Sequence, residues 1–217
     1  GRGVTGDYQG PEFYMPFEIL QYQQGKFVNK RLLADFSSID GVNTGYMFAY
    51  MYYQCHSYNS NVVGAIDLSN IKSLNNGLIC LSMFEECDGI TSVDLSGLET
   101  VYGNSVMKRM FYNARSLVSV DLSSFSRIDG NGQVMQQMFY GCSSLEELVM
   151  DSLSTNNCYS GDIWNSVCYG CTSLRKFSAK KLPGVNKNNC FSSAFYNCTS
   201  LTNVDLRSYN IAGMYTT

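Results

Sequence analysis

One block returns along this chain, and its return leaves few folds open. An aromatic residue, Tyr, Gly or Asn, and a small residue lead into Leu-x-x-Val-Asp-Leu. The clearest copies are Met110-Phe111-Tyr112-Asn113-Ala114 running into Leu117-x-x-Val120-Asp121-Leu122, and Ala194-Phe195-Tyr196-Asn197-Cys198 running into Leu201-x-x-Val204-Asp205-Leu206. The aromatic anchor falls at Tyr52, Phe84, Phe111 and Phe139, is replaced by Cys168, and returns at Phe195. Those gaps are 32, 27, 28, 29 and 27 residues. A unit that short cannot enclose a core of its own. It must bury its apolar residues against the copies before and after it, so the chain stacks into a column.

Within each copy the apolar positions fall into register. Five, four and one residues before the anchor stand Met47/Phe48/Met51, Ile79/Cys80/Met83, Val106/Met107/Met110, Val134/Met135/Met138, Ile163/Trp164/Val167 and Cys190/Phe191/Ala194. That spacing predicts a short helical turn with one stripe inward. Gly or Asn two residues past most anchors, as at Asn113, Gly141, Gly170 and Asn197, predicts a left-handed residue closing it. A strand follows, with inward positions such as Ile66-Leu68, Val93-Leu95, Val120-Leu122 and Leu148-Met150 alternating at the period of a half-buried strand. Later rungs come at Ile71, Leu98, Phe125, Leu153, Leu182 and Tyr209, then at Leu74, Val101, Ile128 and Val185.

A period near 27 with an L-x-x-L-x-L core is the signature of a leucine-rich-repeat solenoid. The expected fold is therefore α/β: six to seven repeats of 27–32 residues, a parallel sheet on one face and short helical turns on the other. Residues 1–30 are expected to be a flexible lead and an N-terminal cap, and residues 31–217 the solenoid, which stops inside a seventh repeat at Tyr209-Asn210-Ile211.

Composition narrows the partners. Charged residues make up 15% of the chain against a usual value of about 25%, so the surface is polar but weakly charged. A net charge of −3 offers nucleic acid no attraction. No apolar run reaches the roughly 18–20 residues of a membrane span. Five of the nine cysteines share one column, Cys55, Cys87, Cys142, Cys171 and Cys198, which Ala114 completes. Interchange with Ala marks a small buried position, so these thiols are expected to be free and packed. Cys168-x-x-Cys171 has the spacing of half a zinc or redox site. Cys168, however, merely replaces the anchor aromatic, and no second ligand pair accompanies it.

Phe139-Tyr140-Gly141-Cys142-Ser143-Ser144-Leu145, Cys171-Thr172-Ser173-Leu174 and Cys198-Thr199-Ser200-Leu201 resemble the motif of the BspA-like, or Treponema-type, leucine-rich repeats. The resemblance spans roughly residues 33–210. It implies a bacterial cell-surface or secreted protein, similar to adhesins that bind host matrix proteins or other cells, with no catalytic residues to carry over; no cofactor is expected. The repeats here are longer than that family's, and Val-Asp-Leu stands where many relatives have Ile-x-Ile.

Candidate contacts lie on the exposed face of the sheet. The residue between the two inward strand positions reads Asp67, Asp94, Asp121, Val149, Ser178 and Asp205. Three stacked aspartates form either a site for a cation or basic ligand, or a set of soluble residues meeting nearby Ser hydroxyls; the second is favoured. Glu146, Glu147 and Asp151 share columns with Arg175, Lys176 and Lys180, which favours three opposite-charge pairs between adjacent strands. Arg207 has no acidic partner in its column and is the stronger contact candidate. The tyrosines after the anchors repeat too regularly for a site and read as scaffold. His56, the single histidine, lies in an insert between Cys55 and Val63 without a general base or nucleophile motif around it, so an enzyme is not expected. Two classes of function remain: a binding module for a protein or glycan, and a structural or assembly repeat of a larger surface or phage-tail protein.

Overall fold

In a computed structural model, the chain winds as a parallel β-solenoid of about 4 turns. The structure describes residues 22–23, 26–27 and 64–206, apart from 70–71, 76–77, 79, 104, 130–132, 155–161 and 182–190. Most of the expected cap, the first repeat and the seventh therefore lie outside the described residues. Within the first 30 residues β1 (Tyr22–Gln23) pairs antiparallel with β2 (Lys26–Phe27).

Two parallel sheets run along the solenoid, where the sequence reading expected one. The first joins β3 (Ala65–Asp67), β5 (Ser92–Asp94) and β7 (Ser119–Asp121). It is carried on by β9 (Glu147–Val149), β10 (Lys176–Ser178) and β11 (Asn203–Asp205), through the amide of Glu146 on the carbonyl of Val118 at 3.3 Å. The second joins β4 (Ser73–Asn75), β6 (Thr100–Tyr102) and β8 (Arg127–Asp129), with a further bridge from Arg127 to Ser154. Its inward residues Val101 and Ile128 were legible as apolar rungs, and both are buried. Two apolar rungs on either side of a bend can belong to one sheet or to two. The bend at Leu98 and Phe125 makes them two.

The expected helices are absent among the described residues. In their place lies a ribbon of turns in which right- and left-handed residues alternate. Positive φ recurs at Cys80, Ser82 and Glu86, then at Ser105, Met107, Arg109 and Asn113, and again at Met135, Gln137 and Gly141. Alternation sends successive amides in different directions. Met83, Glu85 and Cys87 bond back to carbonyls three residues earlier, at Cys80, Ser82 and Phe84. Ser82, Phe84 and Glu86 instead donate to Lys108, Met110 and Tyr112 of the next coil, at 3.0, 2.7 and 2.6 Å. An α-helix would turn all of these bonds inward and leave the coils unlinked on this side. Left-handed residues cost about 1–2 kcal/mol each, which the inter-coil bonds, at about 0.5–1.5 kcal/mol each, and core burial offset. The apolar spacing i, i+1, i+4, i+5 serves a helix and this ribbon equally, so the buried set came out as read while its backbone did not.

The core is the column predicted from spacing. Phe84, Phe111 and Phe139 stack with ring centroids 5.4 and 5.3 Å apart. Where Cys168 breaks the column, Trp164 fills in, edge-on to Phe177 and stacked on Phe191. Each fully buried aromatic contributes roughly 1.5–3 kcal/mol. No helix among the described residues is long and apolar enough to cross a membrane.

Candidate functional site

The first sheet presents two outward columns, and its register aligns them as the sequence did. Asp67 faces Asp94 and Asp94 faces Asp121 in adjacent parallel strands, while Ser178 stands between Val149 and Asp205. Each of the three stacked aspartates closes its strand with a local bond. Asp67 Oδ1 accepts the Ser69 amide at 2.9 Å and the Ser69 hydroxyl at 2.6 Å. Asp94 and Asp121 accept the amides of Ser96 and Ser123 at 2.8 and 2.9 Å. The Ser69 hydroxyl and amide hold the Asp67 carboxyl below the usual carboxylate range. Asx geometry at a strand end thus accounts for Val-Asp-Leu-Ser, and offsets part of the repulsion among like charges stacked about 4.8 Å apart.

Coils further along bring the opposite charges together. Arg175 bonds Glu146, Lys176 lies 3.3 Å from Glu147, and Lys180 lies 2.6 Å from Asp151. The first two pairs are exposed and contribute about 0–1 kcal/mol each. Burial alone would raise the Asp151 carboxyl, but the Lys180 ammonium and the Ser178 hydroxyl outweigh it and hold it low. This half of the face is therefore internally neutralised, and the Asp67–Asp94–Asp121 ladder is its acidic remainder. Arg207 and His56 lie outside the described residues.

A second charged arrangement was not anticipated. Glu85 occupies the column in which later coils place Tyr112, Tyr140, Tyr169 and Tyr196. These four rings stack at 4.7, 4.5 and 4.8 Å. Arg109 closes the stack, with its guanidinium carbon 4.0 Å from the centre of the Tyr112 ring and a nitrogen 2.5 Å from Glu85. Burial raises the Glu85 carboxyl despite Ser82 and Arg109. The break in the tyrosine column at Glu85 was the available signal. The cation that answers it comes from the following coil, out of reach of a column-by-column reading.

The cysteines among the described residues are packed as free thiols. Cys80, Cys87, Cys142, Cys168, Cys171 and Cys198 are free thiols, all but Cys198 buried. Cys142, Cys171 and Cys198 donate to the carbonyls of Phe111, Phe139 and Cys168 in the preceding coil, at 2.9, 3.0 and 2.9 Å. Among the described residues no group of three or more His, Cys, Asp or Glu is placed to hold a metal ion.

The second sheet adds outward residues that sequence reasoning passed over: Thr100 and Tyr102 on β6, Arg127 and Asp129 on β8. They flank the rungs Val101 and Ile128 at the strand period, which is the signal that would have found them.

A family model described as "Mycoplasma protein of unknown function, DUF285" matches residues 27–153, more than half of the 217-residue chain. No curated protein matches it.

Proposed function

The chain belongs to the Mycoplasma DUF285 family, and on that premise we propose that it is a surface-displayed, non-catalytic binding module, adhesin-like and similar to the BspA-like repeat proteins. It takes a protein or glycan ligand on the outward columns of its first sheet, outside the cell. The observation that carries this reading is the contrast between the two sides of that sheet. Inward positions stay apolar through Ile66, Val93, Val120, Leu148 and Phe177, whereas one outward column changes from Asp67, Asp94 and Asp121 to Val149 and the other from Ala65, Ser92 and Ser119 to the paired Glu147 and Lys176. A constant core under a changing surface suits recognition, because each coil alters one contact without disturbing the stack. The acidic ladder favours a partner with a basic patch, engaged in one direction along the solenoid.

The test is binding of the purified chain to immobilised extracellular-matrix proteins and to a glycan array. Charge reversal at Asp94 and Asp121, or at Lys180 and Arg207, weakens a genuine interaction while the melting temperature stays close to wild type. Added salt weakens it as well, since Asp121 is exposed and Asp94 and Lys180 are half-buried. Undiminished binding by both double variants would place the ligand elsewhere.

One observation favours the assembly reading. At β11, Val204 is 46% exposed, and the amides of Ser193, Phe195 and Asn197 have no partners among the described residues, though their counterparts in earlier coils bond the next coil. The edge strand of a parallel sheet is a template for another coil. Sedimentation that shows concentration-dependent association, abolished by Val204→Lys, would support it.

A further inference from the structure

The outward face of the second sheet holds a small depression of about 280 Å³, lined by Thr100, Val101, Tyr102, Arg127 and Asp129. Its geometry follows from register. Tyr102 stands beside Asp129 and Thr100 beside Arg127 on adjacent parallel strands, and between them only the backbone of Val101 lines the depression, its side chain being buried in the core. Three features of this square are unusual for a solenoid flank.

Tyr102 is 59% exposed and stands outside the stacked column described above. Its ring is an uncovered plate. Asp129 Oδ2 accepts from the Arg127 guanidinium, while its Oδ1 is withdrawn from solvent and has no hydrogen-bond partner among the described residues. A carboxylate oxygen so placed still needs a donor. Arg127 is 58% exposed along its side chain, and one carboxylate oxygen leaves most of its five N–H donors unused.

We propose that this depression is a subsite for one neutral sugar ring. A pyranose offers an apolar C–H face for Tyr102 and vicinal hydroxyls at its rim. An oxygen of those hydroxyls accepts from the exposed Arg127 guanidinium, which its ion pair with Asp129 holds in place. The ion pair makes the square electrically neutral, which selects against phosphate or carboxylate groups and for an uncharged ligand. The volume is near the lower end of the roughly 300–1,000 Å³ of small-molecule pockets, room for a single ring. The site lies on a different sheet from the charge columns proposed above, so either can fail alone.

Saturation-transfer-difference NMR with the methyl glycosides of glucose, galactose and N-acetylglucosamine tests it, with N-acetylneuraminic acid as the charged comparison. At least one neutral glycoside should receive saturation, with a Kd on the order of 1 mM, as suits a single shallow ring contact. Tyr102→Ala should lower that affinity about tenfold, the loss of one stacked face, and Tyr102→Phe should keep it. Asp129→Asn should weaken it, while Tyr196→Ala, at another exposed tyrosine, should leave it unchanged. The proposal is overturned if no neutral glycoside binds, if Tyr102→Ala binds as wild type, or if N-acetylneuraminic acid binds more tightly than the neutral sugars. Loss of binding on Asp94 and Asp121 reversal with Tyr102→Ala unaffected would sink this inference and leave the first-sheet reading standing.

Discussion

Cys142 donates its thiol proton to the carbonyl of Phe111, one coil earlier, at 2.9 Å. The same carbonyl accepts the amide of Ala114, so one oxygen closes a turn within its own coil and ties it to the next. The column thus needs a group that is small and apolar and, where a proton is offered, protonated.

Replacement of Cys142 reads out that requirement. Cys142→Ala should cost about 1 kcal/mol, since Ala already serves at position 114 and one thiol bond is lost. Cys142→Leu should cost roughly 1–3 kcal/mol more, because the added carbons press on the neighbouring coils. Urea melts of the two variants decide it; equal losses would contradict a tightly packed column.

Stability should fall on the alkaline side. Burial pushes the Cys80 and Cys198 thiols up to about 12, and raises Cys142 and Cys168 as well. Unfolded thiols ionise near pH 8.5. Above that pH the unfolded chain releases protons that the folded chain keeps, which favours unfolding. The contribution is complete below about pH 8.5 and is lost progressively toward pH 12, by up to about 1.4 kcal/mol per pH unit for each thiol. Denaturant midpoints between pH 7 and 10.5 measure it, and a flat profile would count against buried free thiols. Native protein should likewise react slowly with a thiol reagent at pH 8, and fully once unfolded.

Gly141 and Gly170 share one column and one left-handed backbone, yet should respond differently. A Cβ on Gly170 meets nothing nearer than 3.7 Å, so Gly170→Ala should cost only about 1–2 kcal/mol of backbone strain. A Cβ on Gly141 would fall 2.2 Å from Asn113 Oδ1, which must move. Gly141→Ala should therefore lose more, by about 1 kcal/mol. Asn113→Gly should restore that difference in the double variant. Thermal melts of the three proteins settle the order.

Position in the tyrosine stack should set the cost of removing a ring. Tyr140 lies between Tyr112 and Tyr169, whereas Tyr196 ends the stack and is 62% exposed. Tyr140→Ala should destabilise by about 2–4 kcal/mol and Tyr196→Ala by less than about 1 kcal/mol. Comparable losses would mean that the rings do not support one another.

What the sequence by itself determined is what periodicity can carry. The 27–32-residue repeat fixed a stacked column, and the apolar positions named its buried residues from Ile66 to Ala194. Column matching named the partners Glu146–Arg175, Glu147–Lys176 and Asp151–Lys180, because residues in one column of a parallel stack become neighbours. Backbone direction was decided only in three dimensions. The spacing of Val106, Met107, Met110 and Phe111 suits a helix as well as a ribbon of alternating turns, and only the amide of Phe111 reaching Met138 in the next coil chooses the ribbon. Tertiary structure also split the strands into two sheets and set Arg109 between Glu85 and Tyr112. It likewise set Tyr102 beside Asp129. The Arg109 contact joins different columns of neighbouring coils, and the Tyr102 contact depends on β6 and β8 being strands at all. Where a hydrogen bond goes, and which columns a bend brings side by side, is a property of the assembled stack rather than of any one repeat.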